Sequence, residues 1–260
     1  MRKTFLLPMA MIAFVIILFS GCEQDLSKID TKPAESVLNV MKGFSDIILI
    51  VDDGLAPDSA KNGMKIMGPG YTETIEGDYP NKLITWDFGT EGETQGKIKI
   101  LLNDDYTNPG AFAQITFEDF IYKNKPVDGN INYENLGKTP DDKDEYSFEL
   151  NQARVDSNEL SALWKLQRTV GGLTPEQSDD VFNISQYDQM IASGVTKDGV
   201  EFTLNLIEGL VLDLSCEHII TKGIFELLYE TTTMKADFGE GDCDNKVVVN
   251  NGVVKADIFF

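Results

Sequence analysis

The chain has 260 residues, of which 22 are Lys or Arg and 43 are Asp or Glu, and its formal net charge at pH 7 is −21. A nucleic-acid backbone demands clustered basic side chains, so this charge excludes nucleic acid as the natural partner. Hydrophobic residues make up 42% of the chain, which is enough for a packed core and excludes disorder throughout.

The N-terminus predicts a bacterial lipoprotein signal peptide over residues 1–21. Two basic residues precede an apolar run over 5–19, and a Ser-Gly pair then stands directly before Cys22. The run has the length of a signal-peptide core and is short for a membrane span. We therefore expect cleavage before Cys22 and lipidation of its thiol with fatty acyl chains such as palmitate. The alternative is an uncleaved N-terminal anchor helix.

Lipidation would place the mature protein in the bacterial cell envelope, at the outer membrane on its periplasmic or surface face. Residues 22–32 are largely polar and predict a short tether. The expected contact with the membrane is therefore the lipid at the N-terminus.

Residues 33–54 predict an amphipathic helix. Apolar residues from Val37 to Val51 recur at steps of three and four. The polar face carries more acidic than basic side chains, which favours packing on the protein's own domain over lying on a membrane. The next stretch, 54–81, is rich in Gly, Pro and Asp and predicts a loop.

Residues 80–260 predict a β-rich domain. Turn sequences, of which Asn251-Gly252 is the strongest hairpin signal, punctuate short apolar segments. Further turns are predicted at Asn124-Lys125, Asp128-Gly129 and Asp198-Gly199. The candidate strands are 83–88, 97–103, 112–117, 126–135, 145–155, 159–170, 180–187, 200–207, 211–216, 222–230, 232–238, 246–250 and 253–260. The segment 159–170 also has some helical periodicity, and we predict a strand. Tight turns between short strands indicate a mainly β fold, an antiparallel meander arranged as a sandwich or a curved sheet.

A short motif occurs twice in this domain. Its two copies are Asp87-Phe88-Gly89 and Asp237-Phe238-Gly239, each followed by a strand that starts with lysine. The repetition predicts two related halves, about 80–155 and 156–260. In each copy we expect the aspartate to bracket a glycine turn and the phenylalanine to pack inward.

The cysteines predict one disulfide. If lipid modifies Cys22, then Cys216 and Cys243 remain as a pair in an oxidising compartment. A metal site is the weaker alternative, because these two cysteines and His218 are too few for a closed zinc site. We expect no cofactor and no metal, although calcium binding at acidic turns such as that of Asp242 and Asp244 stays open.

The chain resembles predicted exported lipoproteins of the Bacteroidota, a family of unknown function. The resemblance covers most of residues 80–260. Besides the repeated motif, it rests on Arg168-Thr169, on Asp179-Asp180-Val181 and on the run 237–245. It implies the β fold, the envelope address and the cysteine pair, and it implies no activity.

The sequence contains no nucleophile elbow and no phosphate-binding loop. We therefore expect that the protein is not an enzyme and acts as a non-catalytic binding or structural module, with a glycan or a protein as partner. One alternative is a carrier in which a curved sheet around the helix holds a lipid or another apolar ligand. Another is a hydrolase that uses two carboxylates, because acidic pairs are abundant in this chain.

Overall fold

The computed structural model describes residues 29–55, 70–169, 180–187, 191–216 and 219–259. Within these ranges the chain forms one helix, α1 (Lys32–Leu55), and fourteen strands. The strands are β1 (Thr72–Glu76), β2 (Lys82–Asp87), β3 (Gln95–Leu102), β4 (Phe112–Tyr122), β5 (Lys125–Lys138), β6 (Asp144–Val155), β7 (Asn158–Thr169), β8 (Val181–Gln186), β9 (Ala192–Val195), β10 (Glu201–Asp213), β11 (Ile220–Tyr229), β12 (Thr232–Glu240), β13 (Lys246–Asn250) and β14 (Lys255–Phe259).

All these strands belong to one antiparallel sheet, which confirms the predicted meander. Its order is β1-β2-β3-β4-β5-β6-β7-β8-β10-β11-β12-β13-β14. The short strands β8 and β9 share the space between β7 and β10: β8 pairs with Trp164–Thr169 of β7, and β9 pairs with Glu159–Ser161. The two predicted halves are parts of one continuous sheet, because β6 and β7 pair directly across their boundary.

Helix α1 begins where the sequence supplies caps. The backbone N–H of Lys32 donates to Oδ1 of Asp30 at 3.1 Å, and the Thr31 hydroxyl donates to the Glu35 carboxylate at 2.6 Å. An acidic residue in the first turn is favourable because the N-terminus of a helix carries partial positive charge. The predicted helix is confirmed and is one residue longer at each end.

The sheet curves around this helix. Leu38, Phe44, Ile47 and Ile50 are each at most 1% exposed, although at about 100° per residue they point in directions spread over more than half a turn. A helix on a flat sheet would bury a single stripe. In agreement with the curvature, α1 contacts β6, β7 and β11, which are not all neighbours in the sheet.

The core lies between the helix and the concave face of the sheet. Strand residues alternate between buried and more exposed positions, as in β7, where Leu160, Ala162, Trp164 and Leu166 all point inward. Complete burial of one such large apolar side chain contributes about 1.5–3 kcal/mol. The segment 159–170 is thus a strand, as predicted, and its other face is free for polar side chains.

Some predicted boundaries are wrong. The loop predicted over 54–81 contains the edge strand β1, so the sheet begins before residue 80. Strand β9 was not predicted, and the predicted strands 200–207 and 211–216 are the single strand β10, which bulges between Leu206 and Val211. The apolar pattern breaks at these bulges while the hydrogen-bonded strand continues.

Turn positions differ as well. The β4–β5 turn consists of Lys123-Asn124 and not Asn124-Lys125, because Tyr122 pairs with Lys125. Asp128-Gly129 is a bulge inside β5. Asn251-Gly252 does connect a hairpin, but Asn250 pairs with Lys255, so the loop is longer than two residues.

Candidate functional site

The two copies of the repeated motif form the same local turn. The Gly89 N–H donates to Asp87 Oδ1 at 2.8 Å, and the Gly239 N–H donates to Asp237 Oδ1 at 2.8 Å. Both glycines have positive φ, 73° and 89°, a conformation that other residues adopt only with strain. Each aspartate thus closes the turn by accepting a hydrogen bond from the glycine two residues later, as the sequence predicts.

The phenylalanines of the motif are structural. Phe88 is 8% exposed and Phe238 is 3% exposed. The Phe88 ring lies 5.5 Å from that of Phe120, and the Phe238 ring lies 5.9 Å from that of Phe225. Both rings thus anchor their turns to the core.

The two motifs do not meet in one site. Each ends or nearly ends its strand, β2 in the first copy and β12 in the second. An odd number of antiparallel steps separates these strands in the sheet, so they run in opposite directions. Asp87 and Asp237 consequently lie toward opposite ends of the sheet.

The predicted disulfide between Cys216 and Cys243 is present. The two Cα atoms are 5.2 Å apart, a usual distance for a disulfide. Cys216 follows β10, and Cys243 lies between β12 and β13. The bond therefore joins the segments that follow β10 and β12, the two strands on either side of β11.

The residues considered as alternative metal ligands form no centre in the described part of the chain. Asp242 and Asp244 are exposed, and Asp244 accepts a hydrogen bond from the backbone N–H of Lys246. His218 lies outside the described residues. Within the ranges that are described, no group of three or more His, Cys, Asp or Glu side chains is placed to hold a metal ion.

The predicted signal peptide over 1–21, the predicted lipidation site Cys22 and most of the predicted tether over 22–32 also lie outside the described residues. In the part of the chain that is described, no helix combines the length and the apolar character needed to cross a membrane.

Arg168 and Asp180, which lie twelve residues apart in the sequence, form an ion pair. Arg168, near the end of β7, donates from Nε and Nη2 to Oδ2 of Asp180, at 2.7 and 2.6 Å. The Asp180 side chain is 0% exposed and that of Arg168 is 16% exposed. This pair fixes the entry into β8 and has a structural role.

A depression of about 440 Å³ opens on the outer face of the sheet, where β9 lies between β7 and β10. Three glutamates line it: Glu159 of β7, Glu201 of β10 and Glu230, which follows β11. Glu159 is adjacent to the buried Leu160, and Glu201 is adjacent to the buried Phe202. Strand alternation therefore points both carboxylates away from the core.

The remaining lining is suited to hydrogen bonding. It includes the hydroxyl residues Ser161, Ser193 and Thr203, and the apolar Leu228, which is 45% exposed. None of the described residues that line the depression is a lysine or an arginine. The depression is thus rich in hydrogen-bond acceptors and negatively charged.

One of its three charges has a basic partner at the rim. The Arg154 guanidinium donates to Oε2 of Glu159 from Nη2 at 2.8 Å and from Nε at 2.9 Å. The Arg154 side chain is 47% exposed, so solvent screens this pair.

The floor of the depression depends on Gly194. A Cβ at this position would collide with the carbonyl oxygen of Glu159 and with the ring of Phe202. Glycine is therefore required for the close approach of β9 to β7. The strand places Ser193 and Val195 on either side of this contact.

Sequence reasoning missed the depression. Its glutamates are far apart along the chain, and the strand that brings them together, β9, has only four residues. The usable signal was the alternation around Glu159 and around Glu201, which assigns both residues to the outer face.

Comparison of the chain with family models, with curated proteins and with solved structures returned no match. The chemistry of its own side chains therefore carries the functional inference.

Proposed function

We propose that the protein is an envelope-anchored lipoprotein that acts as a non-catalytic binding module, and that it binds a basic segment of a partner protein in the outer depression. The acidic lining of that depression is the observation that carries the proposal. Three glutamates and three hydroxyl residues face one concave surface. Lysine and arginine side chains are the donors that such acceptors pair with best.

The charge of the whole chain supports the same partner. A net charge of −21 attracts a cationic surface at long range and repels an anionic one. The exposed Leu228 adds an apolar contact at the edge, where the stem of a lysine or arginine can pack.

The position of α1 favours this module over a carrier of an apolar ligand. A carrier would hold its ligand in the concave side of the curved sheet. There the side chains of α1 are packed against the strands, with Phe44 1% exposed and Ile47 0% exposed.

The proposal is tested by binding of basic and acidic peptides of equal length to the full chain, purified in a nonionic detergent. The triple variant Glu159→Gln, Glu201→Gln and Glu230→Gln should weaken binding of the basic peptide about tenfold or more. The matched control replaces Glu76, Glu91 and Glu93, which are exposed elsewhere. This control changes the net charge by the same amount and should weaken binding of the basic peptide much less. Added salt should abolish that small loss, because salt screens long-range attraction.

Equal weakening in the two triple variants would show that only net charge matters and would refute the site. The hydrolase alternative is tested with the same proteins. Turnover of a polysaccharide or ester that one Glu→Gln change in the depression abolishes would replace the binding module with an enzyme. A lipid extracted from the purified protein at one molecule per chain would favour the carrier.

A further inference from the structure

The sheet ends at two strands, β1 and β14, and no strand of the described chain pairs with the far side of either one. The free backbone N–H and C=O groups of such an edge are a template for a strand from another chain. β1 carries Glu73 and Glu76 and no basic residue, so two copies of β1 would repel each other. β14 carries Lys255 and Asp257, one charge of each sign. β14 is therefore the edge whose charges allow it to meet a copy of itself.

Two exposed apolar side chains lie at the ends of β14. Val253, in the turn before the strand, is 82% exposed, and Phe259, its last residue, is 66% exposed. They are the two most exposed large apolar side chains among the described residues. Ile258 is 6% exposed and points to the core. Strand alternation therefore directs Lys255, Asp257 and Phe259 to the outer face.

The backbone of every second residue of β14 faces the free edge. The Asn251 N–H donates to the carbonyl oxygen of Val254 at 3.3 Å, so these two residues form a hydrogen-bonded pair. Hydrogen-bonded and non-hydrogen-bonded pairs alternate along an antiparallel ladder. The next pair, Asn250 with Lys255, is therefore non-hydrogen-bonded, as is every second pair after it. In such pairs the backbone groups point away from the paired strand, so Lys255 and every second residue after it offer an N–H and a C=O to a new strand.

We propose that the β14 edge binds the β14 edge of a second copy of this chain, and that the two strands pair antiparallel about a two-fold axis at Ala256. In this register each Lys255 lies directly opposite Asp257 of the second copy. The residues that offer backbone groups to the edge then meet each other as hydrogen-bonded pairs. Phe259 of each copy lies beside the turn of the other copy that contains Val253, so the two exposed apolar residues cover each other.

The charges select this register from its neighbours. An axis at Lys255 would set two lysines opposite each other, and an axis at Asp257 would set two aspartates opposite each other. Like charges in directly opposite positions are destabilising. Lys255 has no ion-pair partner among the described residues, whereas Oδ2 of Asp257 lies 2.9 Å from Nζ of Lys246. The Asp257 side chain is 46% exposed, so it has room for a second lysine.

The two-fold arrangement also closes the assembly. Pairing of β14 with β1 of another copy would leave a free strand at each end, and such head-to-tail contacts build open filaments. Pairing of β14 with β14 uses the same edge of both copies and stops at two chains. β12 and β13 separate β14 from β11, so the dimer leaves the outer depression open and does not depend on its proposed function.

Cysteine cross-linking of the full chain, purified in a nonionic detergent, tests the register. Ala256→Cys places a thiol opposite its own copy, at a Cα separation of about 4.5 Å in a non-hydrogen-bonded pair, which a disulfide can span. Val254→Cys is the matched control, because the two copies of residue 254 lie four residues out of register, about 14 Å apart along the strands. Under mild oxidation Ala256→Cys should form at least about tenfold more covalent dimer than Val254→Cys.

Charge reversal tests the ion pairs. Lys255→Glu and Asp257→Lys each place like charges opposite each other twice, and each should raise the Kd of the dimer about tenfold in sedimentation measurements. An equimolar mixture of the two variants should bind within about threefold of the wild-type Kd, because every mixed dimer regains two opposite-charge pairs. The control Lys235→Glu changes the net charge as Lys255→Glu does, at an exposed position on β12, and should change the Kd less than about twofold.

Restored binding in the mixture cannot arise from misfolding of either variant. The proposal is overturned if Ala256→Cys and Val254→Cys form equal amounts of covalent dimer, or if neither forms any. It is also overturned if the mixture of the two charge variants binds no more tightly than each variant alone.

Discussion

Nη2 of Arg168 lies 2.6 Å from Oδ2 of Asp180, whose side chain is completely buried. A carboxylate without solvent is tolerated only when it is paired and hydrogen-bonded. The pair connects the end of β7 to the residue before β8, and the ring of Phe182 packs 5.8 Å from the guanidinium.

Replacement of Arg168 should therefore lower the stability of the fold. Arg168→Met leaves the buried Asp180 carboxylate without this partner, and the free energy of unfolding should fall by about 3–5 kcal/mol. Urea denaturation measures the change. The control is Arg154→Met, because Arg154 pairs with Glu159 near the surface, where such pairs contribute about 0–1 kcal/mol. Losses of similar size in the two variants would contradict the assignment of a buried pair.

The disulfide should stabilise the C-terminal strands. Cys216 and Cys243 are 27 residues apart, and closing a loop of that length gives at most ~3.6 kcal/mol by chain entropy. The double variant Cys216→Ala with Cys243→Ala should unfold at lower urea concentration by up to that amount. In protein purified without reductant, thiol titration under denaturing conditions should find neither cysteine free. Two reactive thiols per chain would refute the bond in the cell.

The lipid anchor is tested at Cys22. If the protein is a lipoprotein as proposed, the variant Cys22→Ala should accumulate as a precursor without fatty acid, because the Cys22 thiol would be the acceptor of the lipid and cleavage of the signal peptide would depend on it. Metabolic labelling with palmitate measures acylation. A Cys216→Ala variant, which changes a cysteine of the folded domain, should be labelled as the wild type is. Labelling of Cys22→Ala at the wild-type level would disprove the anchor.

The fold was largely predictable because most strands follow a two-residue alternation between the core and the outer face. β7 is an example, since Leu160, Ala162, Trp164 and Leu166 occupy inward positions, and Leu163 is the one large apolar residue among them on the other face. The sequence did not predict β1, a strand whose side chains are not buried. β1 is exposed at every position, so no apolar pattern marks it, and tertiary pairing with β2 alone defines it.

The candidate sites were less predictable because they depend on contacts between distant segments. The depression needs β9, whose short sequence is held by pairing with both β7 and β10. The ion pair between Asp46 of the helix and Lys123 likewise joins distant segments, and the turn containing Lys123 was predicted one residue too late. The motif and the disulfide, in contrast, were visible because repetition and a cysteine count are properties of the sequence alone.

The repeated turns should contribute equally to stability. Asp87→Ala and Asp237→Ala each remove one hydrogen bond to a backbone N–H, and each should lower the free energy of unfolding by about 0.5–1.5 kcal/mol. Asp87→Asn is the control, because it keeps the acceptor and removes the charge that faces Lys97 at 3.7 Å. If Asp87→Asn costs as much as Asp87→Ala, the ion pair and not the turn is responsible.

The last prediction concerns the alkaline titration of Tyr122. Burial, together with the negative charge of Asp46, raises the pKa of Tyr122 to about 12. Burial alone would lower the pKa of the neighbouring Lys123, but hydrogen bonds to Asp46 and Tyr122 outweigh it and raise that pKa, so Lys123 stays protonated. The neutral tyrosine thus remains a donor to Asp46 well above neutral pH.

The sign of the stability effect follows from these directions. A tyrosine in the unfolded chain ionises near pH 10. The unfolded state therefore loses the Tyr122 proton at a lower pH than the folded state does. The stabilisation is fully present below pH 10 and is lost as the pH rises toward 12. The difference in tyrosinate absorbance between the wild type and Tyr122→Phe measures the pKa directly. Asp46→Asn should lower it, because the charge that opposes ionisation is removed, and an unchanged or higher pKa in that variant would contradict the contact between Tyr122 and Asp46.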